Sequence, residues 1–284
     1  MVPLVTTVHP APPTLAVTRR WQAFALKRAT SSRWRAAQPA PAQDVELQAQ
    51  IQALAVEMPA DGYRRITHEL HRRGLMVNHK RVLRLMRADN LLCLRTKSFG
   101  RTTDSAHGVV VYPTLLPQVT VNGLDQLWGA AITSVRWPQE FVYLAVLLDA
   151  YRRRCIGWAL DRYLMVELAL AALPMALATR AIRPGLVHHA DRGGQYASPA
   201  STNLLKERGS RVSMSRTGNP YDNAQAESFI KTLKDEEVYL FEDQNLAEAR
   251  GRIGPFIEEV YHEKRLHSAL GYRPPAEVER LLVP

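Results

Sequence analysis

The hydrophobic pattern of this chain changes character several times along its length. Residues 1–43 have no period and are rich in Pro, Ala, Thr and Arg, so we expect a flexible N-terminal region. Residues 44–95 carry apolar side chains every three or four positions, the spacing of amphipathic helices. Residues 96–123 lose this period among Gly, Pro and polar clusters and are predicted to form a linker. Residues 124–284 combine β-rich runs with helical stripes, which predicts an α/β domain.

Three short helices are predicted within residues 44–95. The first has its apolar stripe at Leu47, Ile51, Leu54 and Met58. The second covers residues 63–73 and ends at Gly74, and the third begins after the N-cap residue Asn78. Outside its apolar face the third helix carries four cations that are candidate DNA contacts: Lys80, Arg81, Arg84 and Arg87. A basic last helix is typical of a helix-turn-helix-like unit, and the alternative is an ordinary solvated helix face.

The order of elements after residue 124 predicts a mixed sheet with helices packed on it. The β-rich runs are residues 126–134, 141–148, 155–160, 186–189 and 211–214. The helical runs between and after them are residues 165–180, 199–208 and 223–237. Three strands followed by alternating helices and strands suit one α/β domain, and the sequence has no internal repeat.

The formal net charge of +10 lies entirely in the N-terminal part of the chain. Residues 1–117 carry 17 Lys and Arg against 7 Asp and Glu, whereas residues 118–284 carry 20 of each. A positive field confined to one region fits a nucleic-acid partner, while the alternative is a basic surface that only aids solubility. Two cysteines are too few for a disulfide framework, and the longest apolar run, 11 residues, is shorter than the roughly 20 that span a bilayer. We therefore expect a cytoplasmic protein with no membrane partner.

Two acidic residues of the second half are the candidate metal ligands. Asp191 follows a short predicted strand and precedes two glycines, which permit a tight turn and the close approach of a ligand. Glu227 follows it with 35 residues between them and lies in the first turns of a helix whose expected N-cap is Asp222. Mg²⁺ prefers carboxylate ligands, and two ions about 3.5–4 Å apart can stabilise both the attacking and the leaving oxygen of a phosphoryl transfer.

Each of these residues also has a simpler interpretation. An Asp before Gly-Gly is commonly a turn former, and Glu227 with Lys231 and Lys234 has the spacing of ion pairs on an exposed helix. His188 and His189 stand close by, but imidazole suits zinc better than magnesium and no further His or Cys completes a set. We expect the two histidines to support the neighbouring aspartate.

Two segments, HHADRGGQYAS (188–198) and NPYDNAQAESFIKTLKDE (219–236), resemble the catalytic core of bacterial insertion-sequence transposases of the DDE type. That superfamily includes the retroviral integrases and has a ribonuclease-H-like fold. Its triad is Asp, Asp, Glu, followed seven residues later by a Lys or Arg, and Asp191, Glu227 and Lys234 occupy the last three of these positions. The first aspartate belongs to a strand reading roughly QLWVTDITY. The matching stretch here is QLWGAAITS, so Ala131 stands at that position.

The resemblance covers residues 45–281 and implies DNA cleavage and strand transfer that depend on Mg²⁺ or Mn²⁺, with two ions in an intact site held by the triad. The segment GYRRITHELHRRGLMVNHKRVLRLMR resembles the helical domain that precedes such cores. The implied partners are double-stranded DNA, contacted in part by Lys231 and Lys234, and further copies of the chain on paired DNA ends. A separate upstream helix-turn-helix product is a further partner to consider, and the implied location is the bacterial nucleoid.

An alanine at position 131 offers no lone pair to a metal ion, so we expect catalysis to be impaired or lost. Asp149, at the end of the adjacent predicted strand, is the nearby carboxylate that could replace the missing one. Three hypotheses remain: a DNA-binding transposase with a disabled centre, which we favour; an active recombinase with an unorthodox ligand set; and a ribonuclease-H-like nuclease acting on RNA–DNA hybrids.

Overall fold

The computed structural model describes residues 42–93, 110–137, 140–180, 182–241, 243 and 245–282. Most of the predicted flexible region and residues 96–109 of the predicted linker lie outside the described residues. The α-helices are α1 (Ala42–Glu57), α2 (Tyr63–Arg72), α3 (His79–Ala88), α4 (Val166–Ala171), α5 (Leu173–Thr179), α6 (Gly194–Ala197), α7 (Pro199–Glu207), α8 (Ala224–Glu236), α9 (Leu246–Pro255) and α10 (Pro275–Leu282). The strands are β1 (Leu127–Arg136), β2 (Phe141–Asp149), β3 (Cys155–Asp161), β4 (Val187–Ala190) and β5 (Arg211–Met214).

The three helices predicted before residue 95 are confirmed, together with two of their end signals. Gly74, with φ at +85°, ends α2, and beyond it the Leu75 N–H donates to the Leu70 carbonyl at 2.9 Å. The Asn78 side chain accepts a hydrogen bond of 2.8 Å from the Lys80 N–H and so caps α3. Local sequence signals therefore determine where α2 ends and where α3 begins.

The five strands form one mixed sheet in the order β3-β2-β1-β4-β5. β1, β2 and β3 follow one another along the chain through short connections, and β2 pairs antiparallel with both of the others. β4 pairs parallel with β1 and with β5, and helices lie in the connections that lead into β4 and into β5. This sheet with flanking helices confirms the predicted ribonuclease-H-like fold class.

Each face of the sheet has its own core because successive strand residues point to opposite faces. On one face, Phe229 of α8 and Ile253 of α9 pack in a cluster with Ala131 and Val146. On the other face, α4, α5 and α7 contribute to a cluster with Trp128. The side chain of residue 131 therefore lies on the face that α8 covers.

The prediction of one continuous helix over residues 165–180 is wrong, because α4 and α5 are separate helices. Pro174 lies in the first turn of α5, where a missing N–H is tolerated, whereas inside a continuous helix it would remove a hydrogen bond and clash with the preceding turn. The junction residue Ala172 approaches β3. Its carbonyl oxygen lies so close to Gly157 that a methyl group added there would overlap it.

A buried ionic cluster joins the start of α2 to the end of α8. The chain divides into two compact units after Ala53, so α2 and α3 belong to the same unit as the sheet. Arg265 contacts Glu236 of α8 at 2.7 Å and Asp61 at 3.8 Å, and Arg65 of α2 contacts both acids. Burial raises the pKa of Asp61 and of Glu236, so the four groups depend on one another for charge compensation.

The substitution Gly157→Ala tests the close packing of β3 against the α4–α5 junction. Since the new methyl would overlap the Ala172 carbonyl, we expect the free energy of unfolding in urea to fall by about 1–3 kcal/mol. Gly251→Ala is the matched control. It lies inside α9 at an exposed position with nothing within 4 Å of the new methyl, so we expect a gain of about 0.5–1 kcal/mol. Equal effects at the two positions would contradict this packing.

Candidate active site

Parallel pairing of β1 with β4 brings the first acid position and Asp191 to the same level of the sheet. Gly129 of β1 pairs with His189 of β4. Continued for two residues along both strands, this register places Ala131 beside Asp191, which directly follows β4. We therefore expect both positions to point to the same face, since partners in parallel strands do so. Ala131 is 5% exposed, and its methyl group is part of the apolar core.

Helix α8 brings Glu227 to the same place. Ala226, the residue before it, packs in the same core cluster as Ala131, while the Glu227 side chain lies in the first turn of α8 and reaches solvent. Partial burial raises the pKa of Glu227, and the negative charge of Asp191 raises it further. Such repulsion arises between two carboxylates that lie near each other, and a cation held between them would relieve it. Carboxylates thus fill two of the three expected acidic positions, and a methyl group fills the third.

A tight turn fixes the carboxylate of Asp191. The Gly193 N–H donates to Asp191 Oδ1 at 3.0 Å, and a side chain at residue 193 would press against the side-chain oxygens of Asp191 and Gln195. Tyr196 lies behind the turn, where burial and then the charge of Asp191 raise the pKa of its phenol. The turn-forming and site-forming interpretations of Asp191 are therefore compatible, because the turn orients the carboxylate.

The loop before α8 corrects the predicted helix cap. Asp222 does not cap α8: it accepts hydrogen bonds from the Arg216 N–H at 2.8 Å and from Arg216 Nε and Nη2 at 3.0 and 2.8 Å. A 3₁₀ turn, Pro220–Asn223, precedes the helix and puts Asn223 in the N-cap position. These bonds from Arg216 hold the pKa of Asp222 at about 2. Asp222 and Arg216 form a clasp that closes the loop, and Tyr221 stands exposed at its edge.

The histidines of β4 are buried supports of the strand. Burial lowers the pKa of both His188 and His189 to about 4, so their rings are neutral. The ring nitrogens of His189 lie 2.8 Å from the Ser213 hydroxyl and 3.1 Å from the Ser215 hydroxyl. The His188 ring packs beside Tyr196 with ring centres 5.9 Å apart. Across the described residues, no group of three His, Cys, Asp or Glu side chains is placed to hold a metal ion.

Asp149 does not take the place of the missing carboxylate. It pairs with Trp128 across β1 and β2, three residues along β1 from Ala131, which corresponds to roughly 10 Å at the rise of a strand. Its carboxylate accepts hydrogen bonds from the Asp125 and Arg152 N–H groups at 2.8 and 2.9 Å, and the residue is fully buried. Asp149 therefore holds chain segments at another part of the sheet.

The predicted DNA-contacting cations lie in two groups. Lys231 is exposed and Lys234 half-buried on α8, four and seven residues after Glu227, and burial lowers the pKa of Lys234. The second group lies on α3, where Lys80, Arg84 and Arg87 are exposed and Arg81 is half-buried. The first group thus shares a helix with a candidate metal ligand, and the second belongs to the helical region.

Comparisons with known proteins define the class to which this fold and site belong. Residues 122–220 and 208–275 match integrase core domains, and residues 42–99 match an HTH-like domain. The chain is therefore an integrase-core protein preceded by an HTH-like region. In the described part of the chain, no helix is long and apolar enough to cross a membrane.

The relatives define the family. The chain is 38% identical over 216 residues to the uncharacterized 31 kDa protein of insertion element IS600 of Shigella sonnei, covering 76% of this chain and 79% of that protein. It is 34% identical to the transposase for insertion sequence element IS904 of Lactococcus lactis subsp. lactis (strain IL1403), covering 76% and 86%. It is 35% identical to transposase InsF for insertion sequence IS3A of Escherichia coli (strain K12), covering 77% and 76%. The chain belongs to the bacterial insertion-sequence transposases with an integrase catalytic core.

Among solved structures, the chain is similar to the catalytic core domain of BIV integrase. The TM-score is 0.41 at 17% sequence identity, and the likeness covers 54% of this chain and 93% of that chain.

The clasp between Arg216 and Asp222 predicts a pH dependence. Because Asp222 has a pKa of about 2 in the folded chain and an ordinary value near 3.9 when unfolded, the stabilisation is present above pH 4 and is lost as the pH falls through about 2. We expect the difference in unfolding free energy between the parent chain and Asp222→Asn to shrink from pH 5 to pH 2.5. The difference should also shrink in high salt, because Arg216 is exposed. A difference independent of pH would contradict the clasp.

Proposed function

We propose that this chain acts as a DNA-binding transposase whose centre for metal-dependent strand cleavage and strand transfer is impaired by Ala131. Three features support the proposal: the register that sets position 131 level with Asp191, the packing of α8 against Ala131, and the effect of the Asp191 charge on the pKa of Glu227. Membership of the transposase family supports DNA as the substrate.

The donor set fits a divalent metal ion only in part. Asp191 and Glu227 offer the carboxylate oxygens that Mg²⁺ or Mn²⁺ prefers, and their mutual repulsion favours a cation between them. Bound ions would neutralise charge on the attacking and leaving oxygens of a DNA phosphate. The methyl group of Ala131 cannot share in holding two ions. Phosphoryl transfer depends on positioning and electrostatic stabilisation. The lack of a carboxylate at position 131 therefore lowers the rate of strand cleavage and strand transfer, and it does not prevent the chain from folding.

The cations have roles in holding DNA. Lys231 and Lys234 extend from the helix that carries Glu227 and contact phosphates near the reacting one. The basic face of α3 binds duplex DNA through its backbone, which gives affinity that depends strongly on salt. Further copies of the chain assemble on paired DNA ends, and a separate upstream product supplies sequence recognition where the basic helix does not.

Restoring the first acid tests the impaired centre. We expect Ala131→Asp to raise Mn²⁺-dependent nicking and strand transfer on duplex DNA by about a hundredfold or more, the order that one electrostatic group contributes in a preorganised site. Ala131→Asn is the control, because it has nearly the same size and lacks the charge. Adding Glu227→Gln should abolish the gain.

Equal turnover by the parent chain and by Ala131→Asp would reject the impairment and favour a recombinase with another ligand set. Cleavage of RNA–DNA hybrids without any cleavage or joining of duplex DNA would favour a ribonuclease-H-like nuclease instead.

The salt dependence of duplex binding tests whether the basic face of α3 contacts DNA. We expect log K for a duplex to fall linearly with log salt, with a slope of roughly −0.9 for each phosphate contacted. The double variant Lys80→Ala, Arg87→Ala should reduce this slope by about 1.8. Lys264→Ala, at an exposed position of the α/β region, is the control and should leave the slope unchanged. A slope that the α3 variant leaves intact would remove α3 from the DNA interface.

A further inference from the structure

Asn223 makes an unusual contact for a residue that precedes a helix. An Asn at the N-cap commonly accepts a hydrogen bond from the first turn, yet the Asn223 side chain makes no such bond to α8. Its Nδ2 instead donates to the carbonyl oxygen of Ala130 in β1 at 2.9 Å. The residue is only 7% exposed, so the bond is shielded from water. The side chain therefore connects the helix start to the central strand.

The two residues joined by this hydrogen bond are close in sequence to two of the three acid positions. Ala130 directly precedes Ala131, and Asn223 precedes Glu227 by four residues, one turn of helix. The pairing of β1 with β4 reaches Gly129, and the next carbonyl of β1 is the one that accepts the Asn223 amide. The bond thus links β1 to α8 at the level of the candidate site.

The loop before Asn223 has side-chain hydrogen bonds of its own. Asp222 is fixed by its bonds to Arg216, and Asn219 accepts a hydrogen bond from the Tyr221 N–H at 3.1 Å. Asn219 also donates to Asp222 at 3.1 Å. The loop that leads into α8 is therefore closed by its own bonds, and Asn223 is its connection to the sheet.

We propose that Asn223 is a positioning residue for the metal-binding carboxylates: its amide fixes the separation of Glu227 from Asp191 and from position 131. This inference rests on the proposed function of the same site. An amide suits the contact because it can donate to a carbonyl, whereas a carboxylate of the same shape would repel it.

The test is Mn²⁺ affinity, measured by electron paramagnetic resonance or calorimetry on the full chain carrying Ala131→Asp. We expect Asn223→Ala in that background to weaken Mn²⁺ binding about 10-fold to 100-fold, the effect of removing a group that orients a metal ligand. Asn223→Asp, which is nearly isosteric, should weaken it at least as much. Both variants are checked for folding by circular dichroism.

A double-mutant cycle separates positioning from general stabilisation. If Asn223 acts through Glu227, then Asn223→Ala should add little to the loss already caused by Glu227→Gln. Thr67→Val is the matched structural control, because the buried Thr67 hydroxyl also donates to a backbone carbonyl, that of Tyr63, at 2.6 Å. It should lower the melting temperature and leave Mn²⁺ affinity unchanged.

The outcomes are distinguishable. If the Ala131→Asp chain binds no Mn²⁺, both the proposed function and this inference are overturned. Tight binding that Asn223→Ala and Asn223→Asp leave unchanged overturns the positioning role alone. Losses from Asn223→Ala and Glu227→Gln that simply add would also overturn it, since Asn223 would then act independently of Glu227.

Discussion

The candidate site depends first on the parallel pairing of β1 with β4. This register places residue 131 level with Asp191, and the alternation of side chains turns both toward the face that α8 covers. A shift of one residue would turn the side chain of residue 131 to the other face and separate it from Glu227. Packing of the apolar stripe of α8 against β1 then brings the third position into place. The site is thus a consequence of strand register and helix packing rather than of any spacing along the chain.

Sequence periodicity predicted the elements that have their own local signals. α2 and α3 start and stop at residues such as Gly74 and Asn78, which act within one turn. The run over residues 165–180 was harder, because an Ala- and Leu-rich stripe fits one long helix and the deciding constraint is Pro174 near β3. A sheet with mixed strand pairing was predicted from the order of elements. The residues that pair with one another were not predicted, because the register follows from tertiary packing.

The residues of the site were predictable in part. Family resemblance indicated Asp191, Glu227 and the position of Ala131, whereas only the fold could place them together. An acid just before a helix is a common cap, and Arg216, six residues earlier, proved the stronger partner for Asp222. Asn223 was expected only to shape the loop before α8, and its bond to the sheet was not predicted because an Asn before a helix also indicates a cap. No local pattern distinguishes an amide that bonds to its own helix from one that bonds to a strand 93 residues away.

Ala131 packs well beside the cleft, and in the proposed account it is the residue that alters the chemistry there. A methyl group fits the apolar cluster beneath α8, so the fold does not need an acid there. The most direct measurement is anomalous scattering from crystals of the parent chain and of Ala131→Asp soaked in Mn²⁺. We predict two ions against residue 131, Asp191 and Glu227 in the substituted chain and at most one in the parent. Two ions in the parent chain, or ions that contact neither Asp191 nor Glu227, would contradict the impaired two-metal centre.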